Sequence, residues 1–372
     1  MIALSSLGAD YITELVKSVV GGPAKLHAPL IGEEESEIVR NCVSEGQVTH
    51  GPHLEKFEGL IGTKLETIAV AVSSGTAALH LALLAAGVVP GDHVVVPAFT
   101  FVATANSVSY CGAIPNFVDC DEYGGLSVER LGEWLKTHKV KAVICVHVFG
   151  HPCDMKGLLE VCNRHSVPLI EDAAQALGSW YGSKYAGTFG LLGTFSFNGN
   201  KIITTGGGGC VVTSDRALAN RVRSLSTTAK VDMPHEFWHV EVGFNYRLPN
   251  MNAALGCAQM SRLYDIMNRK QELAKKYIKA FENCIYARMM PTAPERRSNN
   301  WLNAVVLHEP LRNGSRHDIV KRLGSDGIEC RLSWTPLHLL SMYKDAPRDD
   351  LAMTVDLASR IINVPSGPGL VS

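Results

Sequence analysis

Residues 68–83 read Ile-Ala-Val-Ala-Val-Ser-Ser-Gly-Thr-Ala-Ala-Leu-His-Leu-Ala-Leu. The first five are apolar without interruption, which is typical of a strand buried on both faces of a sheet. Small residues then form a turn, Ser73-Ser74-Gly75-Thr76, and the apolar spacing of Thr76–Ala86 predicts a helix directly after it. A buried strand that runs straight into a helix is the repeating unit of parallel α/β sheets.

The same alternation continues from about Glu34 to Thr213. It predicts further strands at Val94–Pro97, Val140–Val148, Val167–Ile170, Thr194–Phe197 and Cys210–Thr213, and helices at Thr100–Cys111, Ser127–His138 and Asp154–His165. Ser127 and Asp154 are suitable N-caps for the last two helices. We therefore expect an α/β protein with a mostly parallel sheet in a three-layer sandwich.

The pattern changes after residue 213. Asp215–Ser226 has helical spacing, and Pro249–Glu282 predicts one long helix or two in series. The remaining signals are two strands and a helix, at Trp301–His308, Gly327–Leu332 and His317–Ser325. We expect an N-terminal arm (1–29) with a short helix at Asp10–Val19, a large domain (30–250), and a linking helix with a smaller α+β domain (251–372).

Composition excludes several classes of protein. Lys and Arg number 35 against 36 Asp and Glu, so the chain lacks the basic excess of a nucleic-acid or membrane-surface binder. The most apolar stretch, Ala69–Val89, is broken by polar residues and glycine, so we expect no membrane span. The N-terminus lacks the basic region followed by an apolar region that is typical of a secretory signal, so we expect no such signal. The ten cysteines include no CxxC pair, which favours reduced, buried thiols and a cytoplasmic protein.

Three segments carry candidate chemistry, and the turn at Gly75 and Thr76 is the first. A turn of small residues at a helix N-terminus offers free N–H groups, a hydroxyl and a positive dipole, which suit a phosphate. The turn matches neither a dinucleotide-binding nor a P-loop motif. Many such turns bind nothing, so this segment alone does not establish a site.

The second segment is Glu171-Asp172-Ala-Ala-Gln175, directly after a predicted strand. Ligands of open α/β sheets bind at the carboxyl ends of strands, where Asp172 lies. The alternative is that Asp172 caps a helix. The third segment places Lys201 between Phe195-Ser196-Phe197 and the run Gly206–Gly209.

A lysine confined in a partly apolar site has a depressed pKa and can form a Schiff base with a carbonyl. The alternative for Lys201 is a solvated loop lysine. A phosphate seat, a strand-end acid and a later lysine are together the parts that pyridoxal phosphate requires. The acid keeps the pyridine nitrogen protonated and the lysine holds the cofactor and moves protons.

With these motifs the chain resembles the DegT/DnrJ/StrS-type sugar aminotransferases, a branch of the fold-type I pyridoxal phosphate enzymes. The resemblance covers roughly residues 31–369. The matching segments, in order, are Gly75-Thr-Ala-Ala-Leu79, Pro97–Asn106, Glu171–Gln175, Phe195–Phe197 with Lys201, Gly243-Phe-Asn245-Tyr-Arg-Leu248, and Pro336-Leu-His338. The resemblance implies a seven-stranded sheet and a homodimer whose subunits share active sites.

The resemblance also implies roles for individual residues. Gly75, Thr76 and Ser196 would hold the phosphate, and Phe101 would stack on the pyridine ring. Asp172 would pair with the pyridinium nitrogen and Gln175 would approach the ring hydroxyl. Lys201 would carry the cofactor. Asn245 would reach the phosphate of the partner subunit. Substrate candidates on the same basis are Arg331, Trp334 and His338. Arg247 and Arg331 are the arginines that would anchor an anionic diphosphate. Trp238 and His239 lie just before the Asn245 motif and are candidates for the wall of a sugar pocket. Trp238 and His239 fit an interface between subunits equally well.

The run Asn198-Gly-Asn-Lys201-Ile-Ile-Thr-Thr205 resembles enzymes that aminate C4 of UDP-linked 4-keto-6-deoxy-N-acetyl sugars on bacillosamine and legionaminic acid routes. We therefore expect glutamate as amino donor and such a sugar as acceptor, for surface polysaccharide or glycan synthesis. The alternative acceptors are a dTDP-keto sugar and an 8-oxo octulosonate. A sugar dehydratase is disfavoured because related dehydratases replace the lysine with histidine, and a non-catalytic regulatory relative because Asp172, Gln175, Ser196 and Lys201 are all present.

His147 and His151 have the i, i+4 spacing of a metal-binding pair. They flank a predicted strand end and a glycine, and no third ligand is evident, so we expect no metal at this position.

Overall fold

The computed structural model describes residues 2–309 and 315–371. Its strands are β1 (Ile68–Val72), β2 (His93–Pro97), β3 (Ile114–Val118), β4 (Ala142–Val146), β5 (Leu169–Asp172), β6 (Trp180–Tyr181), β7 (Lys184–Tyr185), β8 (Leu192–Ser196), β9 (Gly209–Thr213), β10 (Lys230–Met233), β11 (Glu236–His239), β12 (Ala287–Met289), β13 (Arg296–Arg297), β14 (Asn303–Leu307), β15 (Arg331–Leu332) and β16 (Ile361–Val364). Its α-helices are α1 (Ile2–Val20), α2 (Glu33–Ser44), α3 (His53–Leu65), α4 (Gly75–Ala85), α5 (Ala103–Tyr110), α6 (Val128–Thr137), α7 (Met155–Arg164), α8 (Arg216–Ser226), α9 (Asn250–Ser261), α10 (Leu263–Phe281), α11 (Ser315–Ser325) and α12 (Ala352–Arg360).

A seven-stranded sheet in the order β1-β9-β8-β5-β4-β2-β3 forms the centre of the fold. Neighbouring strands run parallel from β8 to β3, whereas β9 is antiparallel to both β8 and β1. The strands are buried on both faces beneath helices, which explains their continuous apolar sequences. The prediction of a mostly parallel α/β sheet is confirmed.

Most predicted elements lie within a few residues of their observed positions. Ser127 and Asp154 cap α6 and α7, accepting hydrogen bonds from the N–H groups of Arg130 and Gly157. The stretch predicted at Pro249–Glu282 is two helices in series, α9 and α10, which meet at Arg262.

The edge strand β3 is absent from the sequence-based prediction, because Pro115 interrupts its strand signal. Proline lacks an N–H and is tolerated in an edge strand, where one side of the backbone has no neighbour. The prediction at Gly327–Leu332 was too long, since only Arg331 and Leu332 pair with β16. The exposed hairpin β10–β11 was also not foreseen.

A second, antiparallel sheet in the order β12-β14-β16-β15 lies in the C-terminal part of the chain. Helices α1, α10 and α11 pack around it through a shared apolar cluster that includes Ile12, Tyr277 and Ile319. Asp119, which follows β3 of the large sheet, links that sheet to helix α12 of the C-terminal part. Its carboxylate accepts hydrogen bonds from the N–H groups of Met353 and Thr354, in the first turn of α12.

All ten cysteines are free and buried, as expected. Within residues 2–309 and 315–371, no helix is both long and apolar enough to cross a bilayer.

Candidate active site

A cavity of about 510 Å³ opens where β1, β5 and β8 of the large sheet end and the small sheet faces them. It brings together seven of the eight predicted cofactor residues: Gly75, Thr76, Phe101, Asp172, Gln175, Ser196 and Lys201. Arg331 and Trp334 line the opposite wall. The carboxyl ends of parallel strands therefore form one side of the cavity, as is usual in open α/β sheets.

The turn after β1 forms one end of the cavity. Ser74 is the N-cap of α4 and accepts a hydrogen bond from the N–H of Ala77, 3.0 Å away. The N–H groups of Gly75 and Thr76 have no acceptor within the helix, and both residues line the cavity. A Cβ on Gly75 would lie 2.7 Å from Cβ of Ser196, and one on Gly209 would lie 2.4 Å from the carbonyl oxygen of Ser74. The glycines are therefore required for the backbones to approach this closely.

Asp172 ends β5 and is almost completely buried. Its Oδ2 accepts a hydrogen bond from Thr104 Oγ1 at 2.8 Å, and its Oδ1 accepts one from the N–H of Ala174 at 3.1 Å. A turn rather than a helix follows, so the alternative role as a helix N-cap is wrong. Burial raises the pKa of Asp172, while these two hydrogen bonds favour the charged form. The carboxylate is thus fixed in place and would gain from a cationic partner in the cavity.

Gln175 lies in the same turn, and its side-chain oxygen accepts a hydrogen bond from the N–H of Phe149 at 2.7 Å. That contact fixes the orientation of the amide. Phe149 has a φ of 55°, an uncommon conformation for a phenylalanine. Its ring stacks on Trp334, with centroids 4.9 Å apart. The turn therefore connects the Gln175 amide to the opposite wall of the cavity.

Glu171 and His147 lie behind Asp172 and are fully buried. Oxygens of Glu171 accept hydrogen bonds from the N–H groups of Gly187, Phe189 and Gly190, and one faces His147 Nε2 at 3.0 Å. The N–H of Cys153 donates to His147 Nδ1, so Nε2 carries the proton and donates to Glu171.

The two histidines with metal-pair spacing face different partners, since His147 faces Glu171 and His151 faces Thr292. The described residues include no group of three or more potential ligands that could hold a metal ion.

Lys201 extends from the loop after β8, and its Nζ lies 3.9 Å from the centroid of the Trp301 ring. Burial lowers the pKa of Lys201 to about 8, against the opposing effect of the Asp172 charge. The Trp301 indole N–H donates to the carbonyl oxygen of Asn200 at 2.6 Å, which fixes the ring beside the lysine. A confined lysine whose neutral form is accessible near neutral pH matches the expected chemistry and not a solvated loop residue.

Five predicted site residues lie outside this cavity. Asn245 and Arg247 are exposed, in a segment whose Phe244 and Tyr246 pack on His80 instead. Trp238 and His239 lie on the exposed hairpin strand β11. His338 is half-buried in a short 3₁₀ helix, and the cavity lining does not include it.

Sequence reasoning missed Thr104 and Trp301. Thr104 lies within the motif segment Pro97–Asn106, and a hydroxyl one helical turn from the ring-stacking position could have identified it. Trp301 gives no local signal, because its position beside Lys201 depends on packing between residues 100 apart in sequence.

The residues of this cavity fit pyridoxal phosphate: a close-packed anion seat at one end, a buried carboxylate and a confined lysine. Residues 29–372 match the DegT/DnrJ/EryC1/StrS aminotransferase family. The chain belongs to this family. Pyridoxal phosphate is the cofactor of these aminotransferases and supplies a ring that withdraws electrons from a bound substrate carbon.

Relatives of this aminotransferase include enzymes named for amino-sugar synthesis. The chain is 36% identical to GDP-perosamine synthase of Escherichia coli O157:H7, over 93% of each protein. It is 38% identical to GDP-perosamine synthase of Caulobacter vibrioides, over 92% of this chain and 93% of the relative. A solved aminotransferase from Psychrobacter cryohalolentis is 28% identical, with a TM-score of 0.87 over 94% of this chain and 95% of that one. The aminotransferase therefore has the fold-type I architecture. Its family consists of sugar aminotransferases.

Proposed function

We propose that the enzyme transfers an amino group from L-glutamate to C4 of a 4-keto-6-deoxy hexose linked to a nucleoside diphosphate, for surface polysaccharide or glycan synthesis. The observation that carries this proposal is the meeting of Lys201, Asp172 and the Gly75–Thr76 turn in one cavity of a sugar aminotransferase. The Gly75–Thr76 turn and Asp172 line the same cavity and would hold the two ends of the cofactor, while Arg331 and Trp334 line the wall that would face the acceptor.

Each cofactor residue has a proposed task that its position supports. The free N–H groups of Gly75 and Thr76 and the hydroxyls of Thr76 and Ser196 bind the phosphate. Asp172 holds a proton on the ring nitrogen. Phe101, 52% exposed on the cavity wall, presents a face on which the ring stacks, and Gln175 donates to the ring hydroxyl. Lys201 carries the cofactor and moves the proton between Cα of the donor and the cofactor.

Arg331 is proposed to anchor an anionic group of the substrates. Among the described residues that line the cavity, Arg331 and Lys201 are the cationic ones. Glutamate carboxylates and a sugar-linked diphosphate both require a cation away from the cofactor, and a guanidinium binds both in a forked geometry. We also propose that Trp334, which lines the cavity near Arg331, provides an apolar surface for the bound substrate.

The nucleotide has two candidates, each with its own support. The resemblance around Asn198–Thr205 favours a UDP-linked 2-acetamido sugar. The two relatives named GDP-perosamine synthase favour a GDP-linked sugar. The comparison with these relatives spans the whole fold, whereas the resemblance rests on one short run, so we place the GDP-linked sugar first.

Specificity constants on a panel of acceptors test this choice. The panel contains GDP-, UDP-2-acetamido- and dTDP-linked 4-keto-6-deoxy hexoses and an 8-oxo octulosonate, with glutamate as donor and mass spectrometry of the products. We expect the largest specificity constant for the GDP-linked sugar, by at least about 10-fold, the lower end of the discrimination that a binding pocket achieves. A larger specificity constant for the UDP- or the dTDP-linked sugar would overturn the choice of nucleotide. Preference for the octulosonate would show that no nucleotide is recognised.

The Arg331→Met variant should raise KM for the preferred sugar. Arg297→Met, at an exposed position on β13, is the control and should leave KM unchanged.

We also propose a homodimer with shared sites. Asn245 and Arg247 project from the segment beside the Ser73 turn but away from their own cavity. The adjoining hairpin and the residues that follow it expose large apolar side chains, with Phe237 on β11 83% exposed and Val242 after β11 84% exposed. Apolar residues exposed in this number mark an interaction surface, and a second copy would bring Asn245 to the partner's phosphate seat.

Mixing two impaired variants tests the dimer. Asn245→Ala is expected to weaken retention of pyridoxal phosphate, and Lys201→Ala to abolish transamination. A mixed dimer has one site with both residues intact, so statistical pairing of equal amounts makes a quarter of all sites intact. At a cofactor concentration too low to load Asn245→Ala alone, refolding the two variants together should therefore restore about a quarter of wild-type activity. Sedimentation velocity gives the oligomeric state. A monomer with full activity would rule the proposal out.

The ten buried thiols, none in a disulfide, support a cytoplasmic location as a further part of the proposal.

A further inference from the structure

Lys270 lies in the middle of α10 and is fully buried. Its Nζ is 2.6 Å from the carbonyl oxygen of Ser366, 3.1 Å from that of Trp301 and 3.1 Å from His27 Nε2. An ammonium group has three hydrogens: two are donated to the carbonyl oxygens, and His27 Nε2 accepts the third when the proton of the neutral imidazole is on Nδ1. No carboxylate among the described residues pairs with it. Burial without a counter-charge lowers the pKa of Lys270 to about 7.

A charged side chain is costly to bury, and a lysine here instead of an apolar residue therefore calls for an explanation. Its three partners belong to three segments far apart in sequence, and each segment shapes the cavity. His27 follows Leu26, which lines the cavity and whose carbonyl accepts from the N–H of Ser366. Trp301 lines the cavity directly. Lys270 is the point at which the three segments are joined.

The segment at Trp301 leads to the reacting lysine. The Trp301 backbone is held on one side by Lys270 and on the other by Asn299, whose side-chain oxygen accepts from the Trp301 N–H at 2.9 Å. The indole is fixed through Asn200 and lies beneath Nζ of Lys201. The ring face attracts a lysine ammonium and restricts where the amine can lie when it is not bound to the cofactor.

We propose that Lys270 is a positioning residue for transamination: it holds Trp301 so that the indole keeps the amine of Lys201 in reach of the donor Cα. This inference rests on the proposed proton-transfer role of Lys201. Lys270 itself does not line the cavity. A shift of the acting amine by about 1 Å is enough to cost roughly 100-fold in rate.

The test compares Lys270→Met with Tyr277→Phe in the holoenzyme. Methionine fills a similar volume without a donor. Tyr277 is a matched control because it also lies in α10, is buried, and donates through its hydroxyl to the carbonyl of Pro365, next to Ser366, at 3.0 Å. It has no contact with Trp301 among the hydrogen bonds described. Lys270→Gln, which retains a polar head, serves as the second variant should Lys270→Met not fold.

Single-turnover rates are measured with glutamate and with glutamate deuterated at Cα. Lys270→Met should slow the half-reaction roughly 10- to 100-fold and increase the isotope effect, because proton transfer becomes the slow step. The affinity for glutamate should stay within about twofold, since Lys270 does not line the cavity. Tyr277→Phe should lower the melting temperature yet leave rate and isotope effect unchanged. Equal isotope effects in both variants would overturn the proposal.

Two further measurements separate this inference from its premise. In a Trp301→Ala background, which keeps the carbonyl but removes the indole, Lys270→Met should have little additional effect; additive losses would contradict the proposal. Hydrogen exchange of residues 299–303 should accelerate in Lys270→Met and not in Tyr277→Phe, a readout independent of activity. If Lys201→Ala kept its half-reaction rate, the proposed function would fail whatever Lys270 does.

Discussion

Replacing Lys201 with alanine should reduce transamination by roughly 10²- to 10⁴-fold, the range attributed to a positioned acid–base group. The variant loses both the attachment of pyridoxal phosphate and the amine that moves the proton. Its fold should remain intact, because Lys201 is half-buried in a loop and packs on the face of Trp301. The rate of the half-reaction with glutamate, followed by absorbance, measures the loss. Lys184→Ala, an exposed lysine on β7, is the control and should retain wild-type rates.

The pH dependence of cofactor uptake tests the same assignment without turnover. Burial lowers the pKa of Lys201 to about 8, so the amine is mostly protonated and unreactive below that pH and neutral above it. Covalent uptake of pyridoxal phosphate by the apoenzyme should therefore accelerate as pH rises and level off above about 8. Borohydride reduction and peptide mapping should locate the adduct on Lys201. An adduct on Lys184 or Lys230 would refute the assignment.

Asp172→Asn should lower the half-reaction rate by roughly 10²- to 10³-fold, as for loss of one preorganised electrostatic contact in a buried site. The amide has nearly the same shape and can still meet Thr104 and Ala174, but it carries no charge to hold a proton on the ring nitrogen. The absorbance spectrum of the holoenzyme should change with the protonation of the ring.

Asp119→Asn provides the comparison for Asp172→Asn. Asp119 is equally buried and also follows a strand of the large sheet, but its carboxylate binds the first turn of α12. Its substitution should lower the melting temperature, since a helix cap contributes about 1 kcal/mol, and leave the half-reaction rate within about twofold. Equal rate losses in the two variants would indicate that Asp172 acts on stability alone.

Local sequence was sufficient for the parts of the site that are built locally. The turn at Ser74 and Gly75 follows from a buried strand running into a helix, and Asp172 follows from a strand end. The wall formed by Trp301 and Arg331 was not predictable in the same way, because it depends on how the small sheet packs against the large one. Arg331 was identified by resemblance alone, and Trp301 not at all. The edge strand β3 was missed because Pro115 conceals it.

The two walls of the cavity differ in how much change they tolerate. On the large-sheet side, Gly75, Ser196 and Gly209 approach so closely that even one added methyl group would collide with backbone or side chain. On the small-sheet side, Arg331 is exposed on a two-residue strand, and Ser333 and Trp334 lie in a loop beside it. New acceptor sugars can therefore be accommodated by substitutions on one wall while the cofactor chemistry on the other is inherited unaltered. Enzymes with this arrangement can differ in the sugar that they aminate while they keep the same transamination chemistry.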